Sequence, residues 1–236
     1  MDIRRFYVKA ENITGDRAII TGDEFYHVTK VMRYKTGYKL IVCSGDGYDY
    51  FCEITRIGDK EVECKITEKT FNERELSTEI TLYLGLIKPE RMDVAVQKAV
   101  EIGVKKIVPV ITEFTSEKTF KKDRAERIII EACKQCSRAI VPEICEVKPF
   151  KECVDEASGD KLMAYEKETV VKAKEAFSSL SKKVSLLIGS EGGFSQEEVD
   201  YAKSKGFKTF SLGKRILKSE TAVIAATSAL AIFTEE

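Results

Sequence analysis

The chain has 236 residues, with 39 Lys plus Arg against 39 Asp plus Glu and a formal net charge of zero. That length can bury a substantial core and leaves room for one or two domains. The charge balance removes long-range steering toward nucleic acid as an argument, so any such role must rest on a local patch. A hydrophobic content of 43% with only 4 Pro describes an ordinary globule and excludes disorder.

Residues 1–72 hold short β-rich runs: Arg17-Ala18-Ile19-Ile20, Lys39-Leu40-Ile41-Val42, Tyr50-Phe51-Cys52-Glu53-Ile54 and Val62-Glu63-Cys64-Lys65-Ile66. Turn signals at Gly15-Asp16, Gly22-Asp23, Gly45-Asp46-Gly47 and Gly58-Asp59 separate them. Short strands at such spacing predict a small barrel. The polar stretch Asn72 to Ser77 reads as a linker, dividing the chain into domains at 1–72 and 73–236.

Beyond it, strand and helix alternate. Ile80 to Ile87 reads as a strand, followed by a helix from Arg91 to Ile102 with Met92, Ala95, Val96 and Ala99 on one face. Lys106 to Ile111 is the next strand, and a long helix runs from about Asp123 to Arg138. Leu162 to Tyr165, Val184 to Ile188 and Phe207 to Leu212 are further strands with helical stretches between them. The last helix, Ser219 to Phe233, is apolar nearly all round, so it belongs in a core or against a second subunit. Repeated βα units imply an α/β fold with a parallel sheet covered by helices.

Seven cysteines, an odd number, and an opening Met-Asp-Ile-Arg-Arg-Phe with no apolar signal segment point to free thiols in a reducing cytoplasm. No run approaches the roughly 18 apolar residues that span a bilayer, so no membrane is expected. His27 is the single histidine, which excludes a multi-histidine metal site within the chain. Cys133 and Cys136 form C-x-x-C, which admits a zinc site; on a helix the same spacing places two small apolar residues on one face, and packing is the preferred reading. No metal is expected. The first forty residues carry eight basic against five acidic residues, interleaved with Phe6, Tyr7, Tyr26 and Tyr34, a modest surface for base stacking.

Open parallel sheets bind ligands beyond the carboxyl ends of their strands, and two loops stand there. The first, Ile188-Gly189-Ser190-Glu191-Gly192-Gly193-Phe194-Ser195, follows a buried strand. Its glycines let backbone approach a ligand or simply make a tight turn. Ser195 with Glu198 forms a capping box that opens the next helix. The loop lacks both the Lys-Ser/Thr of a phosphate-binding P-loop and the G-x-G-x-x-G of a dinucleotide site. The second loop, Leu212-Gly213-Lys214-Arg215-Ile216-Leu217-Lys218-Ser219-Glu220-Thr221-Ala222, pairs three cations with two large apolar groups that need something to cover.

Together these loops resemble the RsmE family of ribosomal RNA uridine N3-methyltransferases, within the SPOUT superfamily of knotted methyltransferases. The family reads I-G-P-E-G-G-(F/L)-S and then L-G-x-R-(I/V)-L-R-x-E-T-A; here Ser190 replaces the proline and Lys218 the second arginine. Similar segments run along the chain: Arg5-Phe6-Tyr7, His27 with Val31-Met32-Arg33, Lys88 to Asp93 with Gln97 to Val104, Ser116-Glu117-Lys118, and Glu131-Ala132 with Gln135, Arg138 and Pro142. The resemblance implies a PUA-like β-barrel ahead of a SPOUT-type trefoil-knotted, mostly parallel sheet with helices on both faces. It implies a homodimer acting on N3 of a uridine in 16S ribosomal RNA or the small ribosomal subunit, with S-adenosylmethionine (SAM) as cofactor. The same chemistry on a transfer RNA, or nucleotide binding without catalysis, are the alternatives. The resemblance further places Leu187, Ile188, Gly189, Glu191, Gly192, Gly193, Leu212, Gly213, Ile216, Leu217 and Thr221 at the cofactor. Arg215, Arg138 from a neighbouring subunit and Glu191 stand at the reaction, with Glu191 favoured as an orienting group. Arg5, His27, Arg33, Lys118 and Lys218 are placed at the RNA.

Overall fold

A computed structural model describes residues 3–235; Met1, Asp2 and Glu236, at the ends of the two expected domains, lie outside the described residues. The chain divides into two compact units, Met1–Glu75 with Cys133–Val141, and Leu76–Ala132 with Pro142–Glu236.

In the first unit, β1 (Arg5–Tyr7), β2 (Ile13–Thr14) and β3 (Arg17–Thr21) precede a short helix α1 (Gly22–Tyr26) that runs into a π-helical turn at His27–Val31. Strands β4 (Lys39–Cys43), β5 (Tyr48–Ile57) and β6 (Glu61–Phe71) follow. They make one six-stranded sheet in the order β1-β4-β5-β6-β3-β2, antiparallel except for the β1–β4 pair. Period-two alternation sends Ala18, Ile20, Leu40, Val42, Cys52, Ile54, Val62 and Cys64 into one core with Phe6 and Val28. Register shifts in β5 at Phe51/Cys52 and Ile54/Arg56 bend the strand and curl the sheet. The expected barrel is therefore a curled sheet, because its end strands β1 and β2 do not pair with each other among the described residues.

Polar groups lock this unit internally. Arg5 is 8% exposed and forks onto Asp49, its Nη2 donating to Oδ2 at 2.9 Å. Asn72, read from the sequence as the start of a linker, is buried instead, and its amide donates to Asp49 (2.9 Å) and to the Ser137 carbonyl (3.0 Å). Lys134 pairs with Glu24 at 2.6 Å, and Arg138 grips both oxygens of Glu75 at 2.8 and 2.5 Å.

The second unit is built from β7 (Glu79–Gly85), α2 (Pro89–Ile102), β8 (Lys106–Ile111), α3 (Lys122–Cys136, of which Cys133 to Cys136 count with the first unit), β9 (Glu143–Ile144) and β10 (Lys148–Pro149). It continues through α4 (Phe150–Glu156), β11 (Asp160–Ala164), α5 (Ala173–Ala176), β12 (Lys183–Ile188), α6 (Gln196–Ser204), β13 (Lys208–Phe210) and α7 (Ser219–Thr234). Every strand pair is parallel, in the order β10-β8-β7-β12-β11-β13, with β9 also on β8. Tyr83, Val108, Met163 and Leu187 pack on one face against Phe150, Cys153, Val199 and Ala202 of α4 and α6. α2 and α7 pack together, and α7 lies on β12, so the other face is covered too. That double burial explains why β12 reads as an unbroken apolar run. α2 starts with Pro89 in its first turn and stops at Gly103, whose φ of 114° a side chain would resist. No helix among the described residues is long and apolar enough to cross a membrane.

Candidate active site

β12 sits between β7 and β11, so the carboxyl ends of β11 and β12 are neighbours. A cavity of about 390 Å³ opens beyond them. Its walls are the loop after β12, the loop after β13, the first residues of α7, the end of β11 and Arg91 from α2. Such a position at a switch in strand order is where parallel sheets take ligands.

The loop after β12 is shaped by its own packing. A Cβ on Gly85 would overlap the backbone nitrogen of Ser190, so β7 must carry glycine for this loop to lie against it. At Gly192 a Cβ would stand 2.5 Å from the Phe114 Cβ, so Phe114 by itself calls for glycine there, and the same glycine lines the cavity. Gly193 has φ +70°, in the left-handed region, and its N–H donates to the Ser190 carbonyl at 3.0 Å. Ser190, in place of the family's proline, hydrogen-bonds through its hydroxyl to Thr112 at 3.2 Å. The capping box forms as read: Ser195 accepts from the Glu198 N–H, and Glu198 accepts from the Ser195 N–H. Glu198 also accepts from the Glu113 N–H at 2.9 Å, and burial pushes its carboxyl above the usual range.

Glu191 faces the start of α2. Its Oε1 accepts from the Lys88 N–H at 3.2 Å and from Arg91 Nη1 at 3.4 Å. Arg91 Nε lies 3.9 Å from Glu220 Oε1, so one guanidinium stands between carboxylates from both loops. These contacts tie the loop after β12 to the start of α2.

The loop after β13 turns at Gly213, φ +119°, where the Ser211 hydroxyl donates to the Gly213 carbonyl. Arg215 and Lys218 are exposed and line the cavity. Leu217 is half-buried, whereas Ile216 is 86% exposed at the cavity mouth.

Of the residues expected at the cofactor, Ile188, Gly189, Glu191, Gly192, Gly193, Leu212, Gly213, Ile216 and Leu217 line this one cavity. Leu187 does not: alternation along β12 turns it into the core on the α4–α6 face. Thr221 is exposed on the first turn of α7 and is absent from the lining, which Ser219 and Ala222 supply. Arg138, expected at the reaction, is 3% exposed in the first unit with its guanidinium on Glu75. Arg5, expected at RNA, is sequestered by Asp49. A long-range acidic partner, invisible to local pattern, decides both cases. Arg33 is exposed with φ +54°, and Lys118 is exposed. His27 packs edge-on to Phe6 (5.5 Å between centroids), with Nδ1 3.8 Å from Glu24. Burial pushes the Cys133 thiol up to about 12, and no group of three or more His, Cys, Asp or Glu among the described residues is placed to hold a metal.

Sequence reasoning missed Arg91, Tyr165 and Glu166 in the lining. The available signal was the end of the strand at Leu162 to Tyr165, but only the strand order puts that end beside β12.

Residues 74–231 match a family model described as an RNA methyltransferase domain, and residues 20–67 match an RNA methyltransferase PUA domain. The ribosomal RNA small subunit methyltransferase E of Bacillus subtilis is 34% identical over 92% of this chain and 90% of its own length. The chain belongs to the ribosomal RNA small subunit methyltransferase E family. The Aquifex aeolicus member is also 34% identical, over 80% of this chain and 83% of its own. Among solved structures, the Neisseria gonorrhoeae methyltransferase E bound to SAM has 28% identity and a TM-score of 0.86, covering 97% of this chain and 96% of that one. A Legionella pneumophila protein in complex with the bound cofactor SAM has 32% identity and a TM-score of 0.88, covering 98% and 97%. The curled sheet of the first unit is the family's PUA-like domain, and the parallel sheet is its methyltransferase domain.

Proposed function

We propose that this protein methylates N3 of a uridine in small-subunit (16S) ribosomal RNA, with SAM as methyl donor. The observation that carries the reading is the convergence of two family loops, Ile188–Phe194 and Leu212–Lys218, on one cavity at the carboxyl ends of β11 and β12. The donor set fits SAM: glycine backbone for close approach, Leu217 and Ile216 as an apolar wall for adenine, and a volume in the range of small-molecule sites. Bound there, SAM supplies an electrophilic methyl group on a sulfonium.

The reaction forms an N3–methyl bond as the sulfur–methyl bond breaks, and the N3 proton leaves to solvent or a base. Negative charge grows on the uracil ring as the proton departs, so a fixed cation beside it lowers the barrier. Arg215, exposed on the cavity lining and in no ion pair among the described residues, is the candidate for that contact, and Lys218, exposed on the same lining, is the candidate phosphate contact. Arg138 is assigned a structural role with Glu75. His27 and Arg33 remain RNA contacts on the PUA-like domain, and Lys118 on the methyltransferase domain.

We further propose a trefoil knot formed as the chain beyond β13 threads back to α7, and a homodimer through α7. The knot reading is supported by β12 lying inside the sheet with α7 returning onto it. The dimer reading is supported by Ile232 and Phe233, exposed by 67% and 43% on an otherwise apolar helix. The proposed compartment is the cytoplasm, where the rRNA is. The test is incubation with labelled SAM and small ribosomal subunits from a strain lacking the modification, followed by nucleoside mass spectrometry. 3-Methyluridine at one position is expected; transfer to another base, or none with SAM bound, overturns the reaction assigned.

A further inference from the structure

Glu166 follows the last residue of β11 and lines the cavity. Its carboxylate lies over the Gly-rich loop, with Oε1 and Oε2 3.2 and 3.3 Å from where a Cβ on Gly193 would stand. Yet among the described residues it takes part in no hydrogen bond or ion pair. Of the cations in the lining, Arg91 is engaged by Glu191 and Glu220, and among the described residues neither Arg215 nor Lys218 is paired with Glu166. The backbone that presents Glu166 is fixed on both sides. Tyr165 N–H donates to the Phe210 carbonyl at 3.0 Å, and Glu168 N–H returns to the Tyr165 carbonyl at 3.1 Å. The Glu168 carboxylate accepts from the Thr209 hydroxyl at 2.6 Å and from the Val170 N–H at 2.9 Å. A hydrogen-bonded turn therefore presents, on the cavity lining, an acceptor that is unpartnered among the described residues.

We propose that Glu166 binds the ribose 2′- and 3′-hydroxyls of the cofactor, an inference that rests on the SAM-dependent reading above. A carboxylate only accepts, so its ligand must bring donors. A vicinal diol offers two O–H groups to two oxygens of one carboxylate and leaves the charge in contact with solvent, as the exposure of Glu166 requires. An acidic residue near strand ends serves ribose hydroxyls in other open parallel sheets. The apolar pair Ile216 and Leu217 belongs to the other loop, which sends the adenine ring there and the sugar toward Gly193. The same carboxylate gives Gly193 a second reason to lack a side chain.

Calorimetry with wild type and Glu166→Gln, using SAM, S-adenosylhomocysteine and 5′-methylthioadenosine, tests the assignment. Hydrogen bonds from hydroxyls to a charged acceptor predict about a tenfold weakening, equal for all three ligands. In competition, wild type should prefer adenosine to 2′,3′-dideoxyadenosine by about tenfold, and Glu166→Gln should lose that preference with its unfolding midpoint unchanged. A loss confined to SAM would move Glu166 to the sulfonium, and a loss that spares 5′-methylthioadenosine would move it to the ammonium; either overturns the proposal, as does no loss. If wild type binds neither SAM nor S-adenosylhomocysteine, the cofactor reading itself fails along with it.

Discussion

Gly193→Ala strikes the Gly-rich loop at its left-handed residue. A left-handed φ of +70° costs an L-residue roughly 1–2 kcal/mol. The new Cβ would also stand 3.2 Å from Glu166, a contact that an exposed carboxylate relieves by moving a few tenths of an ångström. The backbone cost dominates, and it has two places to go. If the loop keeps its shape, the native state loses about 1–2 kcal/mol in urea denaturation. If the loop relaxes, SAM must restore it, and affinity falls by roughly five- to thirtyfold. The two losses should sum to about 1–2 kcal/mol. Gly206→Ala is the control: it has φ +89°, open space around it and a position at the end of α6, so it should lose stability without losing affinity. The reasoning is refuted if Gly193→Ala leaves both affinity and stability within about 0.3 kcal/mol of wild type, or if Gly206→Ala weakens SAM equally.

Arg215→Ala should keep SAM affinity within about threefold and lower methyl transfer about a hundredfold, as loss of a charge-stabilising donor does; a wild-type rate in single-turnover assays would make Arg215 a bystander. Asp49→Ala strands the buried Arg5 guanidinium and frees the Asn72 amide, so about 3–5 kcal/mol of stability should be lost in chemical denaturation. A loss below 1 kcal/mol would show that water reaches Arg5. The Glu168 carboxyl is held down to about 2, first by the Thr209 hydroxyl and then by the Val170 N–H, against 4.5 when free. A depressed folded value contributes stability above pH 4.5 that fades as pH falls toward 2. Glu168→Gln should therefore flatten the loss of stability between pH 4.5 and 2.5, and an unchanged acid profile would count against this anchor.

Much of the fold was legible because it is written in local periods. The strand at Lys106 to Ile111 and the helix from Ser219 are observed within a residue of their expected limits, since each is bounded by a turn or cap. The glycine loop and its capping box were likewise legible in eight consecutive residues. What local pattern could not supply was the neighbour of each element. Arg5 and Arg138 look like free cations until Asp49, 44 residues away, and Glu75, 63 away, are seen to hold them. Leu187 and Ile188 are adjacent in a motif, yet the pleat sends one to the core and the other to the cavity. Glu166 and Arg91 entered the site only through the insertion of β12 between β7 and β11. Curling without closure had the same origin, since pairing of β1 with β4 rather than β2 leaves no short-range trace.

Hydrogen–deuterium exchange with and without SAM puts the central claim to the test, because the claim is a location. Slowed exchange confined to Ile188–Phe194, Tyr165–Glu166 and Ser211–Ala222 is the expected result. Protection elsewhere in the chain with these three segments unchanged would contradict the assignment of the cavity to the cofactor.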